Sequence, residues 1–211
     1  GSPGRLLTAI FSVAKQYETQ GLIVSGSRLD YHLQSAALET LAREADATVE
    51  LWTSPLSVYG GNAFCGVFPE VDCLFGGLLP FGKEGGGGEE ALIKHGGSVV
   101  AMPPLESTTA SLYMRTVLDA LERADANRVP LSFAIILPVE CFPTAISTPS
   151  ANDLFMLDPR IGDRHGIFVR RVEILPPGQH AFAWGHGGGA SDVSQSGSIF
   201  ALLQNEAGKV R

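Results

Sequence analysis

Apolar positions near the amino end recur at helical spacing. Leu6, Ile10, Val13, Ala14 and Tyr17 fall on one face with Gly21 as a stop, which predicts a first helix. Ser27 and Asp30 stand at capping-box spacing ahead of Leu33, Ala37, Leu38 and Leu41, and this pattern predicts a second helix ending at Arg43-Glu44. From Ala47 to Leu51 the spacing shortens to alternation, so a strand is expected there, closed by Ser54-Pro55. The short apolar run Val71 to Phe75 predicts another strand. The glycine-dense stretch from Gly76 to Gly97, including the run Gly85 to Gly88, predicts a long flexible loop. Ser98 to Ala101 reads as a short buried strand stopped by Pro103-Pro104, after which Met114, Val117, Leu118 and Leu121 restore the helical period. Leu131 to Leu137 is almost continuously apolar, as a central strand covered on both faces must be. Phe168 to Leu175 and Ser198 to Leu203 complete the strands, with a Gly/His/Ser-rich loop from Gly185 to Gly197 between them.

Alternating strands and helices of this kind predict an α/β fold with a mostly parallel, doubly wound sheet. Residues 1–46 are expected to form a helical N-terminal extension and residues 47–211 a single domain. Ligands of such sheets bind beyond the carboxyl ends of the strands, which nominates the loops Thr53 to Gly61, Met102 to Glu106 and Pro138 to Phe142.

Composition narrows the function classes. With 45% hydrophobic and 18% charged residues, the 211-residue chain has ample apolar surface to bury, so overall disorder is excluded. The formal net charge of -7 rules out the broad basic field that drives non-specific nucleic-acid binding, and any RNA contact has to be local. Three cysteines, Cys65, Cys73 and Cys141, have no CxxC spacing, which argues against a disulfide framework or a cysteine zinc cluster and fits a reducing, intracellular compartment. No apolar run is long enough to span a bilayer, so no membrane association is expected. The opening Gly1-Ser2-Pro3 resembles an expression remnant more than a signal peptide.

Three local patterns imitate chemistry and fail on detail. Gly77 to Glu84 imitates a phosphate loop, but Glu84 stands where a magnesium-binding hydroxyl is required and would repel phosphate. His186-Gly187-Gly188-Gly189 imitates an esterase oxyanion loop, yet no GxSxG nucleophile is present. His165, His180 and His186 lack the i, i+4 helical pairing of a metal site, so no metal is expected.

Met102-Pro103-Pro104-Leu105 is the informative segment, because it follows a buried strand and precedes a helix. At this location amino-group methyltransferases carry a polar residue, two prolines and an aromatic. The polar side chain accepts hydrogen bonds from the target amine and the ring stacks on the flipped base. Trp52-Thr53-Ser54-Pro55-Leu56-Ser57-Val58-Tyr59, Phe64 to Asp72, Gly97-Ser98, Pro130-Leu131-Ser132-Phe133 and Ala201 to Asn205 stand in order around it. Together these segments resemble the phosphorylated-CTD-interacting-factor family of cap-adjacent adenosine N6-methyltransferases, over about residues 47 to 205.

The resemblance implies a class I, Rossmann-type methyltransferase sheet flanked by helices over residues 47–211. It also implies S-adenosylmethionine as cofactor in active members, bound in part by Ser54, Pro55 and Leu56, and a nuclear location in preference to the cytoplasm. Met102, Pro103, Pro104 and Leu105 correspond to the catalytic motif and depart from it. The family's amide acceptor is a thioether here and its ring is aliphatic. Sulfur is a weak acceptor, and a lost catalytic hydrogen bond of this kind costs about 2.7 to 4 kcal/mol. The lost stack removes roughly another 1 to 3 kcal/mol. Ser57 for the expected Asn, Gly76-Gly77-Leu78-Leu79 for a basic glycine segment and Cys141 near an expected Trp point the same way.

The leading expectation is a catalytically silent methyltransferase-fold domain that binds capped mRNA, a cap-related ligand or a protein partner, with no cofactor required. Two alternatives are an active S-adenosylmethionine-dependent adenine-N6 enzyme with a remodelled site, and a purely protein-binding scaffold.

Overall fold

The fold was analysed in a computed structural model, which describes residues 3–19, 32–33, 35–55, 58, 63–82, 87–102, 107–139, 166–183, 191–193 and 197–210. Helix α1 (Pro3–Thr19) and helix α2 (Ser35–Glu44) form where the apolar period predicts them. Leu33 belongs instead to a two-residue strand, β1 (His32–Leu33), while Ser27 and Asp30 lie outside the described residues.

The main sheet contains β2 (Val49–Leu51), β3 (Ala63–Cys65), β4 (Gly77–Leu78), β5 (Gly97–Ala101), β6 (Leu131–Pro138), β7 (Val169–Leu175) and β10 (Ser198–Gln204). Its order is β4-β3-β2-β5-β6-β10-β7. Strands β4, β3, β2, β5 and β6 are mutually parallel, whereas β10 is antiparallel to both β6 and β7. It follows that β7 runs with the parallel set and β10 alone is reversed. A small antiparallel sheet joins β1 to β8 (Ala181–Ala183) and β9 (Ser191–Val193).

Alternation along the strands divides the core into two layers. Val49, Leu51, Val99, Ala101, Phe133, Ile135 and Leu137 pack on one face beneath α4 (Gly87–His95) and α5 (Ser107–Ala126), whose Leu92, Ile93, Met114, Val117, Leu118 and Leu121 are buried there. The other face carries a smaller cluster, Val100, Ala134 and Ile136, against Leu41 and Ala45 at the end of α2. Because β5 and β6 must satisfy both layers, their sequences are apolar at almost every position.

Three predicted segments are corrected, the first being the loop expected from Gly185 to Gly197, which contains β9 paired to β8. Val71 to Phe75 is not a strand: the helix α3 (Pro69–Asp72) and a 3-10 turn, Cys73–Phe75, occupy it. Proline suits the first helical position, the Phe68 N–H donates to the Asp72 carboxylate at 2.9 Å, and Gly76 ends the turn at φ +87°. Gly76 to Gly97 is likewise not one long loop, since it contains β4 and α4. Glu89 and Glu90 in the first turn and Lys94 and His95 in the last complement the α4 dipole. Gly88 serves close approach: a Cβ there would meet the Leu79 carbonyl oxygen at 2.1 Å.

Candidate functional site at the carboxyl ends of the parallel strands

Strands β2 and β5 are neighbours, but β2 connects onward to β3 on one side while β5 connects to β6 on the other. The chain therefore departs in opposite directions from adjacent strand ends and leaves a crevice between them. Trp52 to Pro55 leave β2 into this crevice and Met102 leaves β5 beside them. Pro103, Pro104 and Leu105 of the predicted motif, and Leu56 of the predicted cofactor loop, lie outside the described residues.

Within the crevice, Ser54 is buried and its carbonyl accepts a hydrogen bond from the Val58 N–H at 2.9 Å, which folds the chain back after Pro55. Met102 is half-buried and packs toward the Val100, Ala134 and Ile136 layer.

Trp52 has an unusual backbone. At φ +57° it occupies the left-handed region, which costs a non-glycine residue of order 1 to 3 kcal/mol unless the surroundings fix it. Its N–H donates to the Cys65 carbonyl at 3.1 Å, so β2 and β3 remain joined past the end of the regular ladder. The indole meets Tyr113 of α5 at 4.3 Å between ring centroids and Phe81 at 5.9 Å, and Phe81 continues to Phe133 at 6.0 Å. Three elements thus meet on Trp52. Its Nε1–H is buried without a hydrogen-bond partner among the described residues. Sequence reasoning missed this aromatic cluster, because neither a left-handed φ nor the convergence of β2, the segment after β4 and α5 leaves a local periodic signal.

The neighbouring titratable groups are set by burial. Cys65 is pushed up to about 12, so its thiol stays protonated and unreactive at neutral pH. Burial likewise raises the Tyr113 hydroxyl. Asp72 is fully enclosed, and desolvation lifts its carboxyl above the ordinary value, although the Phe68 N–H and the Tyr17 hydroxyl pull in the opposite direction.

Only some of the residues that imitated other chemistry lie among the described ones. Gly77 and Leu78 form edge strand β4 and Phe81 is core, while Lys83 and Glu84 lie outside the described residues. His165 and His186 also lie outside them, and His180 Nε2 is 2.8 Å from Ser198 Oγ. Among the described residues no three His, Cys, Asp or Glu side chains gather as a metal site would require. Arg170 donates to the Ile167 carbonyl and lies 3.5 Å from Glu206, and Arg171 is paired with Glu173. Both arginines are engaged internally.

Residues 3–151 match the family described as phosphorylated CTD interacting factor 1 WW domain. The chain belongs to this family. The matched span is more than half of the chain and carries α1 through β6, including both loops of the crevice and the Met102 to Leu105 segment. The antiparallel β10 and its neighbour β7 lie beyond the matched residues, yet they complete the same continuous sheet.

Proposed function

We propose that this chain is a class I methyltransferase fold that no longer transfers methyl groups and acts as a binding module. Residues 47–211 are the methyltransferase-like domain in this reading and residues 1–46 its helical extension. The sheet order supports it: five parallel strands wound outward from β2 and β5, then a reversed β10 inserted between β6 and β7, is the arrangement of the class I methyltransferase sheet.

The observation that carries the loss of catalysis is Met102. It stands immediately after β5, beside the β2 loop, where an amine would need a strong acceptor. A thioether packed toward an apolar layer cannot polarise an exocyclic amine as an amide oxygen does. Methionine in this position acts as a gap-filler. Pro103, Pro104 and Leu105 complete the degenerate motif, and Ser54, Pro55 and Leu56 are what remains of the cofactor loop.

The family's description names the phosphorylated CTD, and a phosphorylated protein tail is accordingly the first partner we assign, in a nuclear setting. Capped RNA is the second. Calorimetric titration with S-adenosylmethionine tests the reading without requiring the right partner. The expected result is no measurable heat of binding at millimolar cofactor, and saturable binding in the micromolar range would restore the active-enzyme alternative.

A further inference from the structure

A cavity of about 410 Å3 opens at the amino ends of β5 and β6, at the opposite end of the sheet from the crevice. Its volume falls within the ~300–1,000 Å3 range of small-molecule sites. Leu41 of α2 and Phe200 and Leu202 of β10 give it half-buried apolar walls, and Ser98 and Ser132 lie on its polar floor. Ser98 Oγ donates to the Ala45 carbonyl at 2.5 Å, and Ser132 Oγ donates to Ser98 Oγ at 3.0 Å. Both hydroxyl protons are used within the protein, so Ser132 offers the cavity lone pairs and no donor. Those two hydroxyls suit N–H groups, while the donors in the lining are Arg171, paired with Glu173, and Gln204, which donates to the Gly208 carbonyl at 2.9 Å.

Asp46 lines the same cavity and breaks two local preferences. Its φ of +50° places it in the left-handed position just beyond α2, where glycine carries no steric penalty. Its carboxylate also stands at the negative end of the α2 dipole. Nearby charges are already engaged, Glu44 with Arg43 at 3.2 Å and Arg171 with Glu173. Among the described residues the Asp46 carboxylate has no ion pair or hydrogen bond. An exposed anion held against its local preferences, with Glu44 also in the lining and two acceptor hydroxyls and apolar walls beside it, is complementary to a cation.

We propose that this cavity binds an organic cation, an amine whose charged group pairs with Asp46 and whose apolar body rests on Phe200 and Leu202. This assignment goes beyond the function proposed for the crevice and does not depend on it. Phenethylamine is a suitable probe, with phenethyl alcohol as its uncharged counterpart. Amide NMR shifts of Ser98, Ser132 and Leu202 should saturate with the amine, and the alcohol should bind about two- to fivefold more weakly, as expected when one exposed charge pair is absent.

Asp46→Asn should lose the preference for the amine. Asp46→Gly should lose it too while raising the melting temperature, since it relieves both local costs. Blocked lysine, N-acetyl-lysine N-methylamide, distinguishes the source: tighter binding than phenethylamine assigns the site to a protein side chain, and weaker binding to a free amine, either supporting a cation site. Equal binding of amine and alcohol, full affinity in Asp46→Asn, or no shift of these amides at millimolar amine would overturn the proposal.

Discussion

Tyr17 and Asp72 come from α1 and α3 and meet with the tyrosine hydroxyl 3.0 Å from both carboxylate oxygens. Removing that hydroxyl leaves a buried carboxylate short of a donor. Tyr17→Phe is therefore expected to lower stability by about 1 to 3 kcal/mol in urea denaturation, the cost of an unsatisfied buried polar group. The pH dependence follows from the direction of the Asp72 shift. Burial raises its folded value above the unfolded one, so the folded state takes up a proton first as acid is added. Its contribution to stability should rise as pH falls from neutral through the raised value, then level off below the ordinary carboxylate range. Subtracting the profile of Asp72→Asn from that of the wild-type protein isolates this slope, and a difference of the opposite sign would contradict the assignment. At this scale the sequence is a partial guide. The chemical weakness of Met102 as an acceptor is legible from its side chain alone, whereas the left-handed φ of Trp52 and the union of Tyr17 with Asp72 arise only from tertiary packing.

Among the elements, α1 and α5 were legible from a helical apolar period, and β5, β6, β7 and β10 from short strand-like runs, nearly continuous where β5 and β6 serve both layers. The segments from Val71 and from Gly76 were not. An apolar run of a few residues fits a strand or a turn of helix equally well, and Pro69 and the Asp72 carboxylate settle it as helix. In α4, glycine indicates flexibility by composition but provides clearance in the fold. Gly88 is therefore a direct test. Alanine has the higher helix propensity, by ~1 kcal/mol, so an exposed helix would gain stability from the change. Here the new Cβ would lie 2.1 Å from the Leu79 carbonyl oxygen, a backbone atom that cannot rotate away. Gly88→Ala should consequently be destabilising by about 1 to 3 kcal/mol net, as overpacking is, with a fall in thermal midpoint as the readout. A gain would show that α4 does not press against the chain after β4.

Across the molecule, the sheet order and the charge lead to the same functional reading. The α/β class was legible from the order of elements, while the placement of β10 between β6 and β7 was not, because strand order is absent from local periodicity. The net charge of -7 and the pairing of Arg171 with Glu173 leave no broad positive field, so a polyanionic partner, whether a phosphorylated tail or capped RNA, has to be held by local contacts. That balance agrees with Met102 at the crevice, since both depart from what methyl transfer to RNA requires. The most direct measurement is transfer of labelled methyl from S-adenosylmethionine to a capped, adenosine-initiated RNA, with the full chain as catalyst. We predict no incorporation above the protein-free background, and robust, protein-dependent labelling of the first adenosine would contradict the account.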